Sequence, residues 1–361
     1  MIIWYTTMIR ILLILLLLIN ISSAFGHSHN LSYFDEHFDF EGYVGYQFVW
    51  GSPRPEPIDS TPEIGFLINY TANDNWTWFT QFRLETDHLE QSLSYSFIQY
   101  DNVIADTVPI TIIGGKLRHQ YGLYNKDRLN PATRPGNIAP QSMYWDQIRY
   151  SLTSGWGISI GSNWGNLHFK YTIDIPIVVD ESEEAFIWFS GRRNNLQQRF
   201  GGHQLINIDY YGDDWRISQA TTFQDWGHGA SGKNIIVSLG GEKRIGDWTL
   251  SLEGMGLFKY YNYSYALSAT IQYDINDWLS VHTNYHHYDI ISKKGGNAQY
   301  FRWAQRADDI SIGTSVHMDH WELKTEAHMA TGSVWVDFTK SRNPDFENWW
   351  TYGAVSLTYH F

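Results

Sequence analysis

Apolar and polar side chains alternate along almost the whole length of this chain with a period of two. That period belongs to β-strands, whose successive side chains point to opposite faces, and it is incompatible with the 3.6-residue period of a helix. In the final segment Val355, Leu357, Tyr359 and Phe361 share one face, and Ala354, Ser356, Thr358 and His360 the other. Earlier, Trp321, Leu323, Thr325, Ala327 and Met329 alternate with Glu322, Lys324, Glu326 and His328. Leu279, Val281, Thr283 and Tyr285 oppose Ser280, His282, Asn284 and His286, and Leu167, Phe169, Tyr171 and Ile173 oppose His168, Lys170, Thr172 and Asp174. Near the start, Trp76, Trp78, Phe82 and Leu84 alternate with Thr77, Gln81, Arg83 and Glu85. Sixteen such segments are predicted, near 38–50, 62–72, 76–85, 92–101, 108–118, 154–163, 167–174, 203–211, 215–224, 233–244, 248–258, 263–273, 278–287, 306–316, 321–330 and 349–361. Those near 92–101 and 108–118 alternate poorly, which leaves fourteen or eighteen strands open.

The connections also alternate, short with long. Short ones are Asn73-Asp74-Asn75, Asn163–Asn166, Gly212-Asp213-Asp214, Gly246-Asp247, Asn276-Asp277 and Met318-Asp319-His320, mostly Asn, Asp and Gly, which suit tight hairpin turns. Five of them run straight into a tryptophan: Trp76, Trp215, Trp248, Trp278 and Trp321. Long ones fall near 51–61, 86–91, 119–153, 175–202, 225–232, 289–305 and 331–348, with a short exception near 259–262. A strand of about ten residues, tilted, is long enough to cross a bilayer, and turns on one side with loops on the other are the pattern of a transmembrane barrel. Tryptophans beside the short turns would then form an aromatic girdle at one boundary, here the periplasmic one.

The first residues are unlike the rest. Arg10 precedes an apolar run from Ile11 to Ile19, and Ser22, Ser23, Ala24 and Gly26 follow, as in a secretory leader cleaved after Ala24 or after Gly26. The run falls short of the roughly 20 residues of a spanning helix. Residues 1–26 are thus expected to be a signal peptide, and 27–361 a single domain. Without the leader the chain has 24 bases against 38 acids, a net charge of −14, which argues against nucleic-acid partners. There is no cysteine, so disulfide scaffolds and thiolate metal sites are excluded. Cleavage after Gly26 would leave His27-Ser28-His29 as a new terminus, a weak Cu(II)-chelating candidate on a tail that few contacts hold.

Alternation alone does not separate a soluble sandwich from a membrane barrel, since a sandwich turns its apolar face inward and a pore turns it to lipid. The leader, the loop asymmetry, the tryptophans and the terminal aromatic strand favour the barrel. Its closure also removes the edges that aromatic-rich strands would expose. The fold expected is therefore all-β, a transmembrane antiparallel β-barrel of about sixteen strands with short periplasmic turns and long external loops. Val355, Leu357, Tyr359 and Phe361 form the expected recognition signal for the barrel assembly machinery. Sixteen strands leave an aqueous channel.

Residues 115–144 read GKLRHQYGLYNKDRLNPATRPGNIAPQSMY. Gly115, Arg118, Tyr121-Gly122-Leu123-Tyr124-Asn125, Arg128, Arg134-Pro135 and Pro140-Gln141-Ser142 with Tyr144 resemble a segment of Gram-negative porin-like outer-membrane proteins, in the superfamily that includes the phosphate-selective porins. The resemblance covers about thirty residues. It implies a sixteen-stranded barrel, commonly trimeric, whose third external loop, here 119–150, folds into the lumen. It does not carry phosphate selectivity over, because no repeated lysine or arginine ladder lines the polar faces.

Residues 116–150 carry six bases, Lys116, Arg118, Lys126, Arg128, Arg134 and Arg149, against Asp127 and Asp146. In the lumen these would form a constriction that leans towards anions, or they would pair with wall acids such as Glu85, Glu253, Glu322 and Glu326 and only pin the loop. Lumen-facing charge is expected at Arg83, Glu85, Lys170, Glu253, Glu322, Lys324 and Glu326. His282 and His286 share a face but stand about 13 Å apart along a strand, too far for one metal. The acidic run Asp180, Glu181, Glu183 and Glu184 reads as a solvated loop. No nucleophile or phosphate-cradling motif occurs, and no histidine falls on the apolar faces read above, so no enzyme and no cofactor are expected. The expected function is passive diffusion of small hydrophilic solutes, with outer-membrane lipid and lipopolysaccharide as surroundings. The alternatives are a plugged barrel acting as structural protein or adhesin, and a secreted carbohydrate-binding sandwich.

Overall fold

The computed structural model describes residues 37–52, 59–85, 93–104, 107–118, 122–123, 154–174, 178–179, 198–227, 232–258, 262–292, 306–332 and 348–361. The strands are β1 (Phe38–Ser52), β2 (Asp59–Asn73), β3 (Trp76–Glu85), β4 (Leu93–Ile104), β5 (Val108–Arg118), β6 (Ser154–Trp164), β7 (Leu167–Asp174), β8 (Val178–Val179) and β9 (Gln198–Tyr211). They continue as β10 (Trp215–Gly227), β11 (Gly232–Ile245), β12 (Trp248–Phe258), β13 (Asn262–Asn276), β14 (Leu279–Ser292), β15 (Arg306–Met318), β16 (Trp321–Thr331) and β17 (Trp350–His360). Neighbours in sequence pair antiparallel, β7 pairs directly with β9, and the two-residue β8 only extends the pairing of β9. β17 returns to β1 in register from Tyr43–His360 to Ser52–Thr351, so sixteen long strands close a barrel. The poorly alternating segments near 92–101 and 108–118 are full strands, β4 and β5, in register from Ser96–Lys116 to Ile104–Val108.

Phe361 closes the seam. Its amide donates to the Gly42 carbonyl and its carbonyl accepts from the Gly42 amide, both at 2.9 Å. The Phe361 ring lies 6.1 Å from both Phe40 and Phe66. The short turns form one end of the barrel, where Asp319 takes φ 48°. Asn73 and Asn276 cap their turns through Oδ1, which accepts from the Trp76 amide at 3.2 Å and from the Leu279 amide at 2.9 Å. Each turn is also bonded to its neighbour: Asn75, Asn166, Asp214, Asp247, Trp278 and His320 carbonyls accept from Asp101, Tyr211, Arg244, Asp274, His317 and His360 amides at 2.7–3.0 Å. That ring of bonds ties hairpin to hairpin around this mouth.

The polarity of the wall is inverted relative to a soluble protein. Along β12 Leu250 and Leu252 are exposed, while Ser251 and Glu253 are buried. Along β15 Ile310 and Ile312 are exposed, while Asp309, Ser311 and Ser315 are buried. Along β16 Glu322, Lys324, Glu326 and His328 are buried, and Trp321 and Met329 face out. Buried charge with exposed isoleucine on the same strands is stable only if the outside is hydrocarbon. Trp76, Trp215, Trp248, Trp278 and Trp321 are all exposed and all sit at the short-turn end. Four of them pack against a tyrosine: Trp76 on Tyr100, Trp215 on Tyr210, Trp248 on Tyr273 and Trp321 on Tyr359, with ring centroids 4.6–5.0 Å apart. Such amphipathic pairs suit a boundary between hydrocarbon and water.

Leu252 is 63% exposed, four residues up β12 from its short turn. Leu252→Arg is expected to cost about 2–4 kcal/mol, the range for a cation on the lipid face near the bilayer centre. Urea-dependent folding into phospholipid vesicles measures it. A neutral result at this position would mean that the face meets water.

Candidate functional site

The candidate site is the lumen. Its wall along β14–β17 carries a continuous network of ionisable groups. His282 Nε2 lies 3.0 Å from Glu326 Oε1, and Glu326 Oε2 lies 3.4 Å from His328 Nε2. His328 Nδ1 lies 3.0 Å from Asp309 Oδ1, and the Tyr352 hydroxyl donates to Asp309 Oδ2 at 2.5 Å. The His328 and Tyr352 rings stack at 4.2 Å. Nearer the short-turn mouth, Glu322 Oε1 lies 3.2 Å from Lys324 Nζ and 3.3 Å from His317 Nδ1. On the far side, Asp174 pairs with His203 at 3.3 Å. Burying so many charges is tolerable because each meets an opposite charge or a hydrogen-bond partner. His282 and His286 serve separate partners, His286 bonding Ser268 Oγ at 3.0 Å. Among the described residues no group of histidines and acids could hold a metal ion.

A short piece of the third long connection reaches this wall. Gly122 and Leu123 follow β5, yet they meet the inner faces of β11 and β12. The Gly122 amide donates to Ser238 Oγ at 3.2 Å, and the Leu123 amide donates to Glu253 Oε1. Both Ser238 and Glu253 are buried, and Leu123 itself is 5% exposed. Gly122 has φ 69°, a left-handed conformation that a side chain disfavours. Opposite it, a Cβ on Gly240 would stand 2.8 Å from Leu123 Cγ, so glycine there makes room for the leucine. The Gly122-Leu123 part of the family-like motif is thus docked against the inner wall. The rest of 119–150 lies outside the described residues, with Lys126, Arg128, Arg134 and Arg149.

On the short-turn side of Leu123 lies a cavity of about 340 Å³, bounded by inward side chains of β4–β10. Exposure is unequal around the barrel. Ser268, His282, Ser315 and Lys324 on β13–β16 are at most 3% exposed, whereas Lys170, Asp209, Arg216 and Ser218 on β7–β10 are half-buried. The open space is therefore off-centre, along β4–β10.

Of the charges expected on the lumen face, Lys170, Glu253, Glu322, Lys324 and Glu326 occupy it, Lys170 on the cavity and the other four buried. Arg83 and Glu85 lie on β3 opposite Gly65 and Glu63. Lys116 is a correction. It is in register with Trp156, which is 50% exposed, so it shares the outer face with Ile112 and Ile160 rather than the inner face of Ile113 and Leu117. Lys116 lies within the expected segment 108–118 but counts there among the bases of the loop; that segment alternates poorly, and only the register of β5 with β6 turns Lys116 outward. A second correction concerns histidine. His287 pairs across from Leu267 and Asp308 on the outer face near the long-loop end, bonded to Asp308 at 2.7 Å and capped by Tyr265. The network residues Asp309 and Tyr352 escaped the sequence reading, and His328 was read only as a polar-face residue of its strand. An aspartate flanked by Ala307 and Ser311 at two-residue spacing was the available signal. His27 and His29 lie outside the described residues.

Comparison with solved structures places this architecture. The anion-selective porin from Comamonas acidovorans superposes with a TM-score of 0.62 at 11% identity, over 90% of this chain and 99% of that one. Salmonella typhi OmpF, in complex with daunomycin, gives 0.61 at 14% identity over 90% and 97%. OmpT, an outer membrane protein of Vibrio cholerae, gives 0.58 at 11% over 90% and 97%. No protein-family model matches the chain, and no curated protein matches it. Identities this low speak for the fold alone. The chain is a closed sixteen-stranded transmembrane barrel. More narrowly, its fold is that of the bacterial porins.

Two measurements test the lumen geometry. Glu253→Ala removes the acceptor of the Leu123 amide, and is expected to give a larger and noisier single-channel current as the docked turn loosens. The chain lacks cysteine, so single cysteines report access cleanly. Ser218→Cys should react with a water-soluble thiol reagent in the folded barrel, and Ser268→Cys should be protected. Equal labelling would contradict an off-centre passage.

Proposed function

We propose that the protein is an outer-membrane porin, a passive channel for small hydrophilic solutes, with a constriction that leans towards anions. The observation that carries the channel reading is the inverted wall: exposed Leu250, Leu252, Ile310 and Ile312 on strands whose alternate residues bury Glu253, Asp309 and Ser311. A closed barrel of this polarity holds a polar passage within an apolar shell. Docking of Gly122 and Leu123 against β11 and β12 supports a loop that narrows that passage.

The anion preference rests on charge. Beyond the end of β5, the loop over residues 119–150 keeps four bases against two acids. The wall it approaches bears Glu253, Asp309, Glu322 and Glu326. Opposite charges would draw the loop to the wall and set a transverse field across the narrowest part, where low-dielectric surroundings focus it. In this reading residues 1–26 direct export, the Val355, Leu357, Tyr359 and Phe361 face is what the assembly machinery recognises, lipopolysaccharide surrounds the long-loop end, and three copies associate.

Reconstitution into planar bilayers tests this. Stable ohmic steps in KCl are expected, with a reversal potential under a salt gradient that has the sign for chloride preference. Arg128→Gln with Arg134→Gln is expected to shift that potential towards potassium. A cation preference left unmoved by the double variant would refute the anionic constriction, and an absence of steps would refute the channel.

A further inference from the structure

The cavity below Leu123 carries both signs of charge on one wall. Asp209 on β9 is in register with His168 on β7 and Ser218 on β10. Lys170 stands two residues along β7 from His168, and Arg216 two residues along β10 from Ser218. Both cations are thus diagonal neighbours of Asp209, at about 7–8 Å between backbones, within reach of long side chains. All three line the cavity. Yet Asp209 makes no ion pair or hydrogen bond among the described residues, while Arg216 turns to Glu242, with Nε 3.4 Å from Oε1. A half-buried carboxylate between two cations is left facing water.

We propose that this cavity is a binding subsite for a small dipolar solute, a free α-amino acid or a very short peptide. The solute's ammonium would sit on Asp209 and its carboxylate on Lys170 or Arg216. The proposal rests on the channel reading and deepens it. A simple anion meets Lys170 and Arg216 favourably but is repelled by Asp209, and a simple cation meets the reverse. Only a solute bearing both charges meets Asp209 and either cation favourably at once, and discrimination of this kind comes as much from the repulsions as from the contacts. The surroundings suit such a solute: Asn207 and Gln99 supply amide donors and acceptors, and Ser218 and Thr111 supply hydroxyls. A volume of about 340 Å³ lies at the lower end of small-molecule pockets, about 300–1,000 Å³. Position matters too. The cavity lies directly on the short-turn side of the docked loop, so a solute leaving the constriction meets it next.

The test is reduction of single-channel current by three solutes of one size: serine, glycerate, which lacks the ammonium, and serinamide, which lacks the carboxylate. Serine is expected to reduce the current at roughly tenfold lower concentration than either, the scale of one charge-assisted hydrogen bond. In Asp209→Asn the advantage of serine over glycerate should vanish. In Lys170→Met with Arg216→Gln its advantage over serinamide should vanish. Equal action of all three solutes on the wild-type channel would overturn the subsite and leave the channel standing. A serine preference that survives Asp209→Asn would overturn the assigned contact. Absence of any conductance would remove both readings together.

Discussion

The structure depends on the closure of its hydrogen-bond ladder. In hydrocarbon no water is available to satisfy an amide or a carbonyl, and each orphan costs several kcal/mol. An open sheet of sixteen strands would leave two such edges. Here β17 returns to β1, and the last residue, Phe361, exchanges both of its backbone bonds with Gly42. Every other feature follows from that closure. An interior exists only because the sheet has no edges, and side chains divide into lipid-facing and lumen-facing sets only because there is an interior.

Once the wall is closed, two-residue parity assigns each side chain. Trp321, Leu323 and Met329 go to the lipid and Glu322, Lys324, Glu326 and His328 to the lumen, on one strand of eleven residues. The lumen in turn is not uniform. Along β14–β17 the inward groups satisfy one another in a chain from His282 through Glu326, His328 and Asp309 to Tyr352, and this half of the wall is covered. Along β4–β10 inward groups remain partly open, and the cavity lies there. A packed half and an open half give the passage a defined wall for chemistry rather than a uniform bore.

Much of this was legible in the residues. The period of two located most of the long strands, because each has one face in lipid and one in the lumen, and the contrast in polarity survives in the sequence. It was weakest over β4 and β5, where Ile112 and Ile113 occupy both parities of β5. Asn73 and Asn276 marked turns because their side chains cap the next amides. The tryptophan after five of the short turns was legible for a similar reason, since it marks the depth at which hydrocarbon gives way to water. Lys116 shows where such reading fails. Its segment is expected as a strand, but the alternation there is too poor to give a parity, and only the register with Trp156 turns the lysine outward.

The sequence by itself determined the class of fold, the approximate number and position of the strands, and, for the clearly alternating ones, which face meets which solvent. Those properties are local, set by a polarity contrast between residues one and two apart. Tertiary structure alone decided that Asp309 meets Tyr352 across 43 positions, that Leu123 meets Glu253 across 130, and that Asp209 stands between Lys170 and Arg216. Such contacts depend on the register between strands and on the closure of the sheet, and neither quantity leaves a periodic trace in the chain.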